Sequence, residues 1–205
     1  MLSLVSKGLP PVPDSLVFPE GVFPELQRGD QVELNESIVV FPGECFPVQP
    51  DQSWSGRVVQ FLGPPDKQAF LTLTEHLPNG FLHLPEKARQ RAVEALQREE
   101  WEGCLGLGCG LTPSFDDACV GWMAYRQAQG KSFPELKDLS MTTDVSARYL
   151  RLAKEGYFGD LLLDLLQAIF QGKALEETIS RLAKVGATSG CDMMEGIRLS
   201  MLREP

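Results

Sequence analysis

The chain has 205 residues, of which 43% are hydrophobic, enough for one large domain or two small domains with an apolar core. Its formal net charge is -9 and it has no lysine or arginine run longer than two, which argues against binding to a nucleic-acid backbone. No segment approaches the roughly 18 apolar residues of a membrane span, and the amino terminus does not resemble a signal peptide. We therefore expect a cytoplasmic protein that binds neither nucleic acid nor a membrane.

The cysteines indicate reduced thiols rather than a disulfide framework. They are five in number, and no two of them form a C-x-x-C pair. A structural zinc site normally has closely spaced Cys or His pairs, which this sequence lacks. We expect neither a metal nor another cofactor. The cysteines are Cys45, Cys104, Cys109, Cys119 and Cys191.

Residues 1–84 are predicted to form a small β-rich lobe, a barrel or a sandwich of short strands. This part is rich in proline, glycine and β-branched residues. Two of its strand-like segments flank Asn35-Glu36 and resemble a hairpin. A turn is expected at Pro78-Asn79-Gly80. The strand-like segments are 31–34, 37–41, 57–62, 69–74 and 81–84.

Residues 85–205 are predicted to form a bundle of about six helices, so the fold class is α+β. Pro85 suits the first position of a helix, and apolar residues then recur at helical spacing. The second helix is more apolar and therefore more buried. We find no internal repeat in this half. The predicted helices are 86–101, 116–129, 144–154, 160–171, 175–185 and a last one from about Ser189.

The stretch 106–117 stands between the first two of these helices. Its glycine loop, defined here as residues 106–112, has glycine at three alternate positions, and glycine permits positive φ and close approach to the main chain. Ser114 is predicted to cap the following helix, with Asp116 and Asp117 in the first turn. Because neighbours on a helix point about 100° apart, we expect one acid to face a pocket and the other to cap or pair. The loop matches neither the Walker pattern nor G-x-G-x-x-G.

Three helix starts share a Ser-, Thr- and Asp-rich composition: 112–117, 142–146 and 186–192. If the bundle brings them together, their N–H groups and hydroxyls would line a pocket for a small anion or carboxylate. Ordinary helix capping is the alternative explanation for each of them. The candidate catalytic residues are Asp116 and Asp117, one of which would orient an amino group or a metal. The candidate binding residues are Gly108, Cys109, Gly110, Thr112, Ser114, Thr143, Ser146, Thr188, Ser189 and Asp192.

Other chemistry-bearing residues offer weaker signals. The thiol of Cys109 lies near a helix start, a setting that lowers a thiol pKa, although a small buried thiol is the simpler interpretation. His76 and His83 fall near turns with no evident partner, and no Ser-His-Asp set can be assembled. Three arginines are the nearest candidates for pairing with a substrate carboxylate or phosphate, or they lie on solvated helix faces. They are Arg126, Arg148 and Arg151.

Three motifs together resemble a known bacterial family. They are Gly106-x-Gly108-x-Gly110-Leu111-Thr112-Pro113-Ser114-x-Asp116-Asp117, Thr143-x-x-Ser146-x-x-Tyr149-Leu150, and Gly186-x-Thr188-Ser189-Gly190-x-Asp192. In this order they resemble a family long catalogued as a domain of unknown function, which includes the AllH-like subunit of oxamate carbamoyltransferase. The resemblance covers about residues 100–202. Phe115 stands where the family usually has glycine and Cys109 where it commonly has proline, and a phenylalanine there is expected to narrow or reshape the loop.

The resemblance implies a part in carbamoyl transfer between carbamoyl phosphate and oxamate, in purine or allantoin nitrogen catabolism. It also implies that the protein works with other carbamoyltransferase subunits. Both substrates are small anions, for which helix N-termini and hydroxyls are suitable hosts. Two alternatives stay open. The protein is a non-catalytic scaffold or regulatory subunit that docks a partner at the same surface, or the glycine loop only permits tight helix packing.

Overall fold

A computed structural model describes residues 3–6, 10–18, 22, 24–48, 55–77 and 80–203. The chain divides into two compact units, Leu2–Ser55 and Gly56–Pro205. This division lies upstream of the predicted boundary at residues 84 and 85, because the segment that follows residue 55 is hydrogen-bonded to the helical half. The main-chain bonds join Val58 to Gly156 (2.9 Å), Phe61 to Ala128 (2.7 Å) and Asp66 to Ile169 (2.9 Å).

The amino-terminal unit contains two small sheets in its described residues. In the three-stranded antiparallel sheet the side chain of Asn35 accepts hydrogen bonds from the main chain of Ser37 and Ile38, both 2.9 Å, and so shapes the turn before the second of its strands. The predicted hairpin is therefore confirmed, whereas closure into a barrel or sandwich stays a prediction. The strands are β1 (Ser3–Ser6) and β2 (Ser15–Phe18), which pair in parallel, and β3 (Glu33–Leu34), β4 (Ile38–Phe41) and β5 (Glu44–Pro47).

Three of the predicted strands are wrong. In segment 57–62 only Arg57 forms an isolated bridge, with Tyr157. Segment 69–74 is helical, within α1 (Ala69–His76), because Ala69 and Leu73 lie one helical turn apart and are both completely buried. Residues 80–84 form a turn. The remainder of the predicted turn, Pro78-Asn79, lies outside the described residues.

The prediction of about six helices after residue 85 is confirmed, as is the α+β class. The fourth predicted helix ends as expected, with Gly172 in the left-handed conformation after its last residue. None of the described helices combines the length and the apolar character needed to cross a membrane. The six helices are α2 (Glu86–Arg98), α3 (Ser114–Ala128), α4 (Asp144–Lys154), α5 (Asp160–Gln171), α6 (Leu175–Leu182) and α7 (Ser189–Met201).

Helix α3 lies at the centre of the helical unit and is buried without interruption from residue 114 to residue 125. It packs main chain to main chain against α7. A Cβ atom at Gly121 would overlap the carbonyl of Met193, and a Cβ atom at Gly196 would overlap the carbonyl of Ala118. The two helices can approach this closely only because both positions are glycine. Their contact also holds the first turns of α3 and α7 at a fixed separation.

Candidate functional site

The glycine loop folds back over the start of α3. The N–H of Phe115 donates to the carbonyl of Leu107 at 3.0 Å, and those of Asp116 and Asp117 donate to the carbonyl of Pro113. Pro113 is the N-cap residue and Ser114 is the first residue of the helix, so the prediction that Ser114 caps α3 is wrong. The loop and the proline carbonyl therefore use several N–H groups that an anion would otherwise bind at this helix start.

The three loop glycines do not have the same role. A Cβ atom at Gly106 would overlap the carbonyl of Met141, and one at Gly108 would press against the main-chain nitrogen of Ser114. These two residues are required for close packing, as the packing alternative expects. Gly110, with φ of 90°, has open space where its side chain would be. Packing therefore does not explain the third glycine.

The tip of the loop presents unused main-chain donors. Within the described part of the chain, the N–H groups of Gly108, Cys109 and Gly110 make no hydrogen bond, and all three residues are exposed. The N–H of Leu107, by contrast, donates to the carbonyl of Cys104 at 3.0 Å. Successive unpaired N–H groups at a solvent-exposed tip are suited to an anion.

Asp116 connects the glycine loop to α4. It is completely buried, and its Oδ1 atom accepts a hydrogen bond of 2.9 Å from the N–H of Gly106. Its Oδ2 atom accepts one of 2.7 Å from the hydroxyl of Ser146 and another from the hydroxyl of Thr142. Three donors around one buried carboxylate satisfy the charged group. Asp116 is thus the acid that pairs.

Thr143 strengthens the same connection. Its hydroxyl oxygen caps α4 by accepting the N–H of Ser146 at 3.0 Å, and the hydroxyl donates to the carbonyl of Leu111 in the glycine loop. Capping by Thr143 agrees with the capping alternative for this junction. The hydroxyls of Thr143 and Ser146 are therefore engaged within the protein.

Asp117 faces the start of α7 instead. Its side chain is buried, and within the described residues its Oδ2 atom has no hydrogen-bond partner. Burial raises the pKa of Asp117 from 3.8 to about 7, although the hydroxyls of Ser189 and Thr112 oppose this increase. These two hydroxyls also lie 3.0 Å from each other and so join the glycine loop to α7. The carboxyl of Asp117 is partly protonated near neutral pH.

Asp192 is the corresponding acid on α7. Its Oδ1 atom accepts a hydrogen bond of 2.7 Å from the N–H of Phe81, whereas no described residue donates to its buried Oδ2 atom. Burial raises the pKa of Asp192, and the interactions with Phe81, Ser114, Thr188 and His83 lower it. Two candidate residues, one from each of two junctions, therefore interact with this carboxylate.

The turn at residues 80–84 is a part of the site that the sequence did not reveal. Phe81 has a φ of 59°, which is unusual for a bulky residue, and its N–H is bonded to Asp192. A Cβ atom at Gly80 would overlap the side chain of Glu195, so this turn lies directly on α7. The signal available in the sequence was the Asn79-Gly80 pair, which indicated a turn but gave no partner for it.

Helices α3 and α7 carry the same pattern, S-x-x-D-x-x-x-G, which corrects the expectation of no internal repeat. It reads Ser114, Asp117 and Gly121 in α3, and Ser189, Asp192 and Gly196 in α7. The serine of each helix interacts with the aspartate of the other, and each glycine lies against the main chain of the other helix. The two helix starts thus have approximate two-fold symmetry, in which each residue of the pattern contacts the other helix in an equivalent way.

The two unpaired carboxylate oxygens are energetically costly. A buried polar atom without a hydrogen bond destabilises a fold by about 1–3 kcal/mol. Native proteins contain few such atoms, and each of them calls for an explanation. Here both belong to the first turns of two crossing helices, at equivalent positions. The three junctions do lie together, but their hydrogen bonding is complete only on the Asp116 side.

The remaining candidates lie elsewhere or have a different role. Cys109 is exposed rather than buried, whereas Phe115 is completely buried in the main core. Arg126 is in the last turn of α3 and donates to the carbonyl of Ser132 at 2.9 Å. His76 lies 3.9 Å from Glu176. Arg148 and Arg151 are both on α4, and Arg151 is exposed.

Two surface clefts of about 440 and 430 Å³ lie away from the glycine loop. The first is lined by Asp66, Glu176 and Glu177 among others, and the second by Arg57, Lys131 and Glu155 among others. None of the predicted site residues lines either cleft. Among the residues that the structure describes, no group of three or more His, Cys, Asp and Glu side chains is arranged to hold a metal ion.

A known protein family matches the helical part of the chain. Residues 104–201 match the family described as "Oxamate carbamoyltransferase subunit AllH". The match includes the glycine loop and the two other Ser-, Thr- and Asp-rich helix starts, and it confirms the resemblance predicted from the three motifs. No solved structure matches the chain.

Proposed function

We propose that the helical unit binds a small anionic metabolite at the glycine loop, as a cytoplasmic subunit of an oxamate carbamoyltransferase-like enzyme. The premise is the similarity of residues 104–201 to the family of that description. In such an enzyme a carbamoyl group passes between carbamoyl phosphate and oxamate, within purine nitrogen catabolism. Other carbamoyltransferase subunits would complete the assembly.

The observation that carries this proposal is the set of unpaired donors at the loop tip. The N–H groups of Gly108, Cys109 and Gly110 have no partner among the described residues, and the space beside Gly110 is open. Donors that are held in place before the ligand arrives need no reorganisation when it binds. The anion would bind at this tip, since several N–H groups of the α3 start are already used by Leu107 and Pro113.

The hydroxyls of Thr112 and Ser189 would contribute further donors after rotating away from Asp117 and from each other. Both residues are half-buried, and their hydroxyls lie 3.0 Å apart between the glycine loop and α7. The nearby acids do not prevent anion binding. Three hydrogen-bond donors within the protein stabilise the carboxylate of Asp116, and a pKa of about 7 leaves Asp117 only partly charged near neutral pH.

The geometry suits a transfer reaction that depends on placement. Carbamoyl transfer requires two anions to be positioned and a developing oxyanion to be stabilised, more than it requires a nucleophilic side chain. Loop N–H groups and hydroxyls supply these functions. Asp117, at the edge of the same cluster, would orient an amino group of the substrate.

Calorimetry with oxamate, carbamoyl phosphate and inorganic phosphate tests the proposal. We expect Gly110→Val to lose binding of the anion, because its side chain would enter the open space over the loop donors. Gly43→Val is the matched control, since Gly43 also has a positive φ, of 85°, and open space around it, but lies in the amino-terminal unit. Circular dichroism verifies that both variants fold. Unchanged affinity of Gly110→Val for all three anions contradicts the proposed site.

A second candidate is a non-catalytic subunit that docks a partner protein through the same surface. Leu111 and Met141 favour it, since each is 70% exposed and both flank the loop. Thr143 bonds to Leu111, and Gly106 lies against Met141, so the two apolar side chains border one region. Co-purification with the other carbamoyltransferase subunits that is lost in Leu111→Asp, in a chain that binds none of the three anions, would favour docking over binding of the metabolite.

A further inference from the structure

We infer that Asp117 and Asp192 together select the ligand, by accepting the two N–H bonds of one primary-amide or carbamoyl nitrogen through their unpaired Oδ2 atoms. This inference rests on the proposed function and adds to it the residues that distinguish an amide from a carboxylate. The loop N–H groups would bind the negatively charged end of the ligand. The two acids would bind its nitrogen.

The first reason is that both oxygens lack a donor. Each belongs to a side chain that is at most 3% exposed, and within the described residues neither oxygen has a hydrogen-bond partner. An ionised carboxylate is an acceptor only, so the group that completes it must be a donor. An ionised ligand carboxylate has no donor to offer.

The second reason is the equivalence of the two positions. Asp117 and Asp192 are both the fourth residue of their helices, and each interacts with the first serine of the other helix. The two Oδ2 atoms are thus presented by two equivalent first turns. A planar –NH2 group has two equivalent N–H bonds, which matches a pair of acceptors related in this way.

The third reason is that solvent reaches the groups around the two acids. Thr112, Thr188 and Ser189 interact with them and are only half-buried. A hydroxyl moves by rotation about a single bond, without any change in the backbone. A small ligand group can therefore replace the hydroxyls as the neighbour of the carboxylates.

Neighbouring acid groups explain why only two carboxylates take part. Asp116, next to Asp117, already accepts from Gly106, Thr142 and Ser146. Glu195, one turn along α7 from Asp192, is paired with Arg198 through contacts of 2.8 and 2.6 Å. These acids have their donors within the protein, whereas Asp117 and Asp192 each keep one oxygen available.

Calorimetry of the full chain with oxamate and oxalate at pH 8 tests the inference. Oxalate has the shape of oxamate with a second carboxylate in place of the amide. We expect oxamate to bind at least about tenfold more tightly, since a site built to accept N–H bonds rejects an analogue without them. Asp117→Asn and Asp192→Asn should each reduce this ratio severalfold, because an asparagine amide can donate to the oxalate carboxylate.

Asp144→Asn is the matched control. Asp144 is an exposed acid in the first turn of α4, and its replacement should leave the ratio unchanged. A wild-type ratio near one overturns the inference but not the proposed function, which requires only that an anion binds. Asparagine variants with the wild-type ratio also overturn it and leave the two acids a structural role. If oxamate, oxalate and inorganic phosphate all fail to bind, both the inference and the proposed function are wrong.

Discussion

Asp116 and Asp117 are adjacent on α3, yet their surroundings differ in every respect except burial. The carboxylate of Asp116 is surrounded by donors from the glycine loop and α4, which hold these elements together. The carboxylate of Asp117 faces α7 and keeps an unpaired oxygen. Two identical side chains therefore serve different purposes. The completed network fixes the loop, and we propose that a ligand completes the other one.

The strongest test of this difference is removal of the acid that pairs. Asp116→Ala would leave the N–H of Gly106 and the hydroxyls of Thr142 and Ser146 without their acceptor. We expect the free energy of unfolding, measured by urea denaturation, to fall by about 3–5 kcal/mol, because each buried donor left without an acceptor costs about 1–3 kcal/mol. Asp144→Ala, which removes an exposed acid from α4, should cost well under 1 kcal/mol, as is usual for surface substitutions. If Asp116→Ala loses as little free energy of unfolding as the control, Asp116 has no structural role.

The contact between α3 and α7 fixes the positions of Asp117 and Asp192, each of which has one unpaired oxygen. We therefore predict the effect of moving the two helices apart. Gly121→Ala should lower the free energy of unfolding by about 3 kcal/mol, because its Cβ atom would overlap the Met193 carbonyl. It should also weaken oxamate binding by moving Asp117 away from Ser189. Gly63→Ala is the control, since no atom lies within 4 Å of a Cβ there. Wild-type melting behaviour of Gly121→Ala would contradict the described crossing.

Stability as a function of pH distinguishes the two acids without a ligand. The pKa of Asp117 is raised from 3.8 to about 7, so between these values the folded protein holds this proton more tightly than the unfolded chain. The contribution of Asp117 to stability is therefore most favourable at low pH and is lost as the pH rises to about 7.

Between pH 5.5 and pH 8 this loss amounts to about 2 kcal/mol for Asp117. The raised pKa of Asp192 acts in the same direction and stays in the variant, so the measured quantity is the difference between wild type and Asp117→Asn. We expect urea denaturation to give Asp117→Asn the flatter pH profile and the greater relative stability at pH 8. Parallel profiles of the two proteins would show that Asp117 is not held in a desolvated environment.

The smallest expected effect concerns the threonines that precede α4 and α7. Thr143→Ala should lower the free energy of unfolding by about 1 kcal/mol, because its side chain caps α4. Thr188→Ala removes no capping hydrogen bond from α7 but removes a hydroxyl that interacts with Asp192, so its cost should fall as Asp192 becomes protonated at low pH. Thermal or urea denaturation of both variants measures this difference. Losses that respond to pH in the same way in both variants would contradict this difference.

The helices after residue 85 could be predicted because local signals agree there. Apolar residues recur at helical spacing, and glycine or capping residues mark the ends. Segment 69–74 gave a wrong prediction, since Thr72 and Thr74 alternate with apolar residues and imitate a strand. Its helical state depends on the burial of Ala69 and Leu73 against other helices, which is a tertiary effect.

The site could be predicted in composition but not in detail. The three hydroxyl-rich helix starts were evident from the sequence, and one acid was expected to pair while the other did not. Which acid pairs depends on Thr142 and Ser146, which lie 26 and 30 residues from Asp116. The S-x-x-D-x-x-x-G pattern was visible in both helices, but its meaning depends on their crossing. The contact between Phe81 and Asp192 spans 111 residues and had no local signal.

The left-handed turn at Phe81 also gives the site an observable of its own. Because the N–H of Phe81 donates to Asp192, the chemical shift and the exchange rate of this one amide proton respond to the charge on that carboxylate. A spectroscopist can therefore follow protonation or ligand binding at Asp192 from a single backbone resonance. No label needs to be introduced near the acids themselves.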